Sequence, residues 1–80
     1  MNLNIIAFGI ARDIVGGNQF EMNLSEGASI ADLKKALCAQ YSAFEKLTSF
    51  AIAVDEEYQE DDYILEKNKE VVIIPPVSGG

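Results

Sequence analysis

The chain is 80 residues long, 49% hydrophobic, and carries thirteen acidic against six basic side chains, for a net charge of −7. That length holds one domain and not two, and the charge argues against nucleic acid or an anionic membrane surface as a partner while suiting a protein with a basic groove or pocket. There is no histidine, one cysteine (Cys38), no metal-ligand spacing and no Gly-rich phosphate loop, so a self-contained active site is hard to assemble from this chain.

A lone cysteine forms no internal disulfide. No apolar run is long enough to span a bilayer, and the first residues lack the basic-then-apolar order of a secretory signal; a cytoplasmic location is the expectation. Leu3 to Ile10 is apolar and β-prone, with Ile6, Phe8 and Ile10 on one face and Leu3, Ile5 and Ala7 on the other. Gly16-Gly17-Asn18 supplies residues that tolerate positive φ. Phe20, Met22 and Leu24 then alternate with Gln19, Glu21 and Asn23, which predicts a second strand paired with the first.

Ser29 is a good helix N-cap, and Asp32, three residues on, completes a capping box. Ile30, Leu33, Ala36, Leu37 and Tyr41 repeat at helical spacing and form one apolar stripe, with Ala43–Leu47 adding a further turn. Cys38 borders the stripe with no histidine or cationic partner in view, and is read as a small core or boundary residue rather than a nucleophile. Phe50, Ile52 and Val54 alternate as a third strand. Asp55-Glu56-Glu57 turns the chain, Tyr58-Gln59 begins a short return strand, and Tyr63-Ile64-Leu65 is a local plug under a loop. The acids at Asp55–Glu57 and Glu60–Asp62 are either a solvated rim around these turns or a docking patch. Lys67-Asn68-Lys69 turns into a final strand, Glu70–Ile74.

That last strand is apolar on both faces, Val71 and Ile73 pointing one way and Val72 and Ile74 the other, as in a strand at the centre of a sheet. One helix covers only one face. The surplus predicts an apolar patch away from the helix, including some of Phe8, Tyr58 and Ile74, open to a protein partner unless loops fold over it. The predicted class is α+β, a mixed sheet of four to five strands on one main helix, with a domain at 1–74 and a tail at 75–80.

The tail, Pro75-Pro76-Val77-Ser78-Gly79-Gly80, carries the chemistry. Two prolines cannot continue a sheet ladder and favour a stiff, extended exit. Val77 is an apolar anchor, and two glycines without Cβ atoms allow entry into a narrow channel. What such a channel receives is the α-carboxylate of Gly80.

Four stretches carry a resemblance: Ala11-Arg12-Asp13-Ile14-Val15-Gly16, Glu26-Gly27-Ala28-Ser29-Ile30-Ala31-Asp32-Leu33, Ala53-Val54-Asp55-Glu56-Glu57-Tyr58, and Glu70-Val71-Val72-Ile73-Ile74 with the Pro-Pro-Val-Ser-Gly-Gly ending. In that order they resemble the MoaD family, the small sulfur-carrying subunits of molybdopterin synthase with a ubiquitin-like β-grasp fold. Departures fall in loops and turns: Asp55 where many members have Asn, Asp61-Asp62-Tyr63, and Lys67-Asn68-Lys69. The resemblance implies that the first and last strands pair in parallel at the sheet centre. It implies that Gly80 is adenylated by an E1-like, MoeB-type enzyme, which uses ATP and Mg²⁺, and becomes a thiocarboxylate. The tail, Pro75 to Gly79 included, then inserts into a MoaE-type large subunit, in a heterotetramer, to deliver sulfur to cyclic pyranopterin monophosphate. No cofactor is then bound by this chain. Arg12 is either a partner contact or one half of an ion pair near the tail base. The other readings are a ThiS-type carrier for thiamine synthesis, a ubiquitin-like modifier, and a plain interaction module.

Overall fold

A computed structural model describes residues 1–47 and 49–76. The elements run β1 (Asn2–Ala7), α1 (Gly9–Val15), β2 (Gln19–Asn23), α2 (Ile30–Gln40), a 3₁₀ turn (Ser42–Lys46), β3 (Ala51–Val54), β4 (Glu57–Gln59) and β5 (Val71–Ile74). The five strands form one mixed sheet in the order β2-β1-β5-β3-β4. β5 is central and runs parallel to β1, while the other neighbouring pairs are antiparallel. The expected α+β sheet on one main helix is therefore present, with five strands.

One expectation fails. The first strand ends at Ala7 rather than Ile10, and a seven-residue helix, α1, fills much of the connection to β2. Ile10 is on that helix and not on the sheet. The alternation continued past Ala7 in sequence, but Gly9 takes φ +54° and breaks the strand. At its other end α1 stops at Gly16, φ +83°, whose N–H donates to the Arg12 carbonyl, a left-handed glycine cap. Only Ala11 of this helix is buried.

One sheet face packs on α2. Leu3, Ile5 and Ala7 of β1, Met22 of β2, Ile52 and Val54 of β3, and Val71 and Ile73 of β5 meet Ile30, Leu33, Leu37 and Phe44 in a single core. Full burial of a Leu, Ile or Phe side chain contributes about 1.5–3 kcal/mol, so the period-2 and period-3.6 patterns dictate which faces meet. The capping box of α2 forms as expected. Asp32 N–H donates to Ser29 Oγ at 3.2 Å and Ser29 N–H donates to Asp32 Oδ2 at 3.0 Å.

The 60–65 segment straps that helix start. Ile30 N–H donates to the Tyr63 carbonyl (2.9 Å) and Ala31 N–H to the Asp61 carbonyl (3.0 Å). Leu33 N–H donates to the Ser29 carbonyl (3.0 Å), so the N–H groups of the first turn are all partnered. Within the predicted plug only Leu65 is fully buried; Tyr63 is half-buried and Ile64 is exposed.

Two exposed carboxylates couple this scaffold to pH. Asp32 is held below its usual value near 3.8 chiefly by the Ser29 backbone N–H, and Asp55 below the same value chiefly by the Glu70 N–H, then by Lys69. Both pKa values are depressed in the folded state. Their stabilising contribution is fully present above the unfolded value and is lost as pH falls through the folded one. Thermal stability is therefore expected to decline as pH drops below about 4. The Asp32→Asn, Asp55→Asn double variant should show a shallower decline in calorimetric scans between neutral and acid pH, and an unchanged slope would refute the assignment.

Candidate functional site

Because β1 and β5 are parallel, their C-terminal ends leave the sheet side by side. β1 turns away through Phe8 and Gly9, and β5 passes into Pro75-Pro76. The turn and the tail base are in contact range: a Cβ placed on Gly9 would stand 3.5 Å from Pro75 Cγ. Pro75 and Pro76 are both half-buried. The expectations for Val77, Ser78, Gly79 and Gly80 lie outside the described residues.

The register shows what surrounds this exit on the sheet face opposite α2. Gln19 pairs with Ile6, Ile6 with Val72, Val72 with Ala53, and Ala53 with Tyr58, so these five form one row across all five strands. Ile74 and Ala51 form the next row toward the tail. Phe8, still extended at φ −123° and ψ 159°, continues β1 beside Ile74. The result is an apolar field of Ile6, Phe8, Ala51, Ala53, Tyr58, Val72 and Ile74 on the open face. Tyr58 is 70% exposed and Phe8 56% exposed, whereas Ile74 is half-buried. Ala53 is buried yet absent from the α2-side core, because it lies on this other face between Val72 and Tyr58.

The β1–β2 half of the same face is polar. Asn2 pairs with Asn23 and Asn4 with Glu21, and the Asn2 amide donates to Glu21 Oε2 at 2.8 Å. The open face is thus divided: amides and one acid over β2 and the start of β1, apolar side chains over the end of β1 and over β5, β3 and β4. Its apolar part borders the tail base directly.

The remaining predicted positions separate. Arg12 is exposed on α1, and among the described residues it makes no ion pair. Of the acidic clusters, Asp55 is structural: its carboxylate accepts the Glu70 N–H at 2.9 Å and lies 3.3 Å from Lys69 Nζ, tying the β3–β4 turn to the start of β5. Asp61 accepts from Lys34 Nζ at 2.7 Å. Glu56, Glu57, Glu60 and Asp62 enter no ion pair among the described residues. Cys38 is half-buried on α2.

Sequence reasoning singled out Phe8, Tyr58 and Ile74 but missed Val72 and Ala53 between them, and it missed Ile10, 48% exposed on α1. The double-sided apolar pattern of β5 pointed to Val72. For Ala53 only the register could have done so. No helix among the described residues is long and apolar enough to cross a membrane, and no group of three or more His, Cys, Asp or Glu among them could hold a metal ion.

Comparison with known proteins places this architecture. The profile of the ThiS family matches residues 5–80, tail included. A molybdopterin synthase sulfur carrier subunit of Chlamydomonas reinhardtii is 31% identical over 83 residues, covering all of both chains. Among solved structures, a protein described as subunit 1 of a molybdopterin converting factor from Pyrococcus furiosus superposes with a TM-score of 0.87 at 24% identity, over 96% of this chain and 99% of that one. The complex of subunits 1 and 2 of the molybdopterin-converting factor from Helicobacter pylori contains a chain that superposes at a TM-score of 0.67 and 21% identity, with both chains fully covered. With the parallel β1–β5 core, the single covering helix and a profile match that runs to Gly80, this chain belongs to the ThiS/MoaD family of ubiquitin-like β-grasp proteins.

Proposed function

We propose that this chain is the sulfur carrier subunit of a molybdopterin synthase, with the sulfur held as a thiocarboxylate on Gly80. The observation that carries the reading is the end-to-end match to a protein of that name. The geometry of the body supports it. The apolar field borders the strand from which the tail departs.

The chemistry required of Gly80 follows from its carboxylate. Neither oxygen is a leaving group, so direct substitution by sulfur does not proceed. On an E1-like enzyme of the MoeB type, the carboxylate attacks the α-phosphorus of ATP and pyrophosphate leaves. The acyl-adenylate carbon then accepts a sulfur nucleophile, AMP departs, and a thiocarboxylate remains. Mg²⁺ and ATP belong to the activating enzyme and not to this chain. The charged tail next enters a large subunit of the MoaE type, within a heterotetramer, and passes its sulfur to cyclic pyranopterin monophosphate. Pro75 and Pro76 stiffen the base of the arm, Val77 anchors it, and Ser78 and Gly79 pass through the narrowest part. Phe8, Tyr58 and Ile74 seat the body against the partner. Arg12, the only arginine of the chain and exposed on α1, supplies a polar contact to the partner. This cycle takes place in the cytoplasm.

Incubation with ATP, Mg²⁺, an activating enzyme and a sulfur donor tests the reading. The intact protein is expected to gain the mass of an oxygen-to-sulfur exchange, localised to the C-terminal peptide, and to lose it again when large subunit and pterin are added. No gain on that peptide would sink the carrier assignment.

A further inference from the structure

The two edges of the sheet are unequal. In β1–β2, the hydrogen-bonded pairs are fixed at both ends: the Met1 amine donates to the Leu24 carbonyl (2.8 Å), Leu24 N–H to the Met1 carbonyl (2.9 Å), and Ala7 N–H to the Asn18 carbonyl (2.9 Å). Hydrogen-bonded and non-hydrogen-bonded pairs alternate along an antiparallel ladder. Leu3↔Met22 and Ile5↔Phe20 are therefore the bonded pairs between them, in the observed register. The N–H and C=O groups of Gln19, Glu21 and Asn23 consequently point outward from β2, the edge strand of the sheet with no strand beyond it among the described residues. At the other edge β4 is three residues long and presents only Tyr58 in this way.

An uncovered strand of this length is a template for another strand, and folded proteins guard such edges with charge. The copy best matched to β2 is β2 itself. Paired antiparallel about a two-fold axis at Glu21, two copies use all three outward residues of each strand: Gln19 faces Asn23 of the second copy and Glu21 faces Glu21. Registers displaced from that centre use fewer. In the centred register the two carboxylates are direct cross-strand neighbours on one face, and like charges so placed oppose pairing. The Asn2 amide, 2.8 Å from Glu21 Oε2, holds the carboxylate on that face.

We infer that Glu21 is the guard of the β2 edge: its charge keeps two copies of this chain from joining, edge to edge, into one continuous sheet. β2 is the strand farthest from the β3–β4 side, with β1 between it and β5. The guard therefore acts away from the apolar field and independently of any partner seated there.

A charge swap tests this. Isotope-labelled wild-type chain is titrated with unlabelled wild type, and separately with unlabelled Glu21→Lys chain, while the amide resonances of Gln19, Glu21 and Asn23 are followed by NMR. Labelled Glu21→Lys chain is titrated with itself. Changing the central pair from like to opposite charge is expected to tighten association about tenfold in the mixed sample relative to either self-titration. The shifts should centre on those three amides. Position 21 is exposed, so circular dichroism should show both chains equally folded. Three results would each overturn the inference: no edge shifts in the mixture, self-association of wild type as tight as the mixture, or self-association of Glu21→Lys as tight as the mixture. The last would assign the effect to net charge rather than to the facing pair.

Discussion

A chain ending at Gly79 is expected to lose sulfur transfer by more than about 100-fold while melting at the same temperature as the full chain. Removing one residue retracts the terminal carboxylate by about 3.5 Å. A reacting group displaced by about 1 Å already loses on the order of 100-fold in rate, and a fixed channel cannot follow the retreat. On the proposed reading, in which the terminal glycine enters a narrow channel, Gly80→Ala keeps the length but adds a Cβ and should also impair transfer. Among the described residues the last core member along the chain is Ile73. Substitutions away from buried features usually stay within about 0.5 kcal/mol. Single-turnover transfer from pre-charged carrier to large subunit, beside a calorimetric melt, measures both arms. Full transfer by the shortened chain would remove Gly80 from the mechanism. A large drop in melting temperature would show that the tail is part of the body.

The elements legible in the sequence were those whose local signals agree with their tertiary setting. Ser29 and Asp32 announce α2, and the structure uses both in the capping box. The unbroken Val71–Ile74 run announced a central strand, and β5 occupies the centre. α1 was missed because its signals conflict. Phe8 and Ile10 extend the β1 alternation, Ile14 and Val15 are β-branched, and no side chain caps the helix start. What could have revealed it was Gly16 as a C-cap, behind Ala11, Ile14 and Val15 at helical spacing. The strap over α2 was invisible for a different reason. It is made by the carbonyls of Asp61 and Tyr63, which every residue possesses, so no side-chain pattern encodes it. The apolar field fell between these cases. Surplus hydrophobicity on β1 and β5 predicted that it exists, but its row of Ile6, Val72, Ala53 and Tyr58 depends on a register that pairs residues up to 66 positions apart.

That row makes a second large effect predictable. Tyr58→Asp is expected to weaken binding to a large subunit by about 30-fold or more while leaving the fold intact. Exposed aromatics that a partner buries are the usual carriers of binding energy, worth about 2 kcal/mol or more each. The substitution also places a charge that must be desolvated opposite an apolar partner. In the free chain the cost is small, since Tyr58 is 70% exposed on a three-residue edge strand. The divided face supplies the control. Asn4→Ser lies on the same side of the same sheet, over the polar β1–β2 half, and should leave affinity unchanged. Calorimetric titration of both variants against large subunit decides between two footprints. A loss confined to Tyr58→Asp places the partner over β5, β3 and β4, next to the tail. Equal losses from both variants would mean that the whole sheet face is covered, and no loss from Tyr58→Asp would mean that the partner holds the chain by its tail alone. A confined loss would also explain why the chain tolerates so much exposed apolar surface: the sheet face that α2 leaves bare is the one that sets the tail at the mouth of the channel.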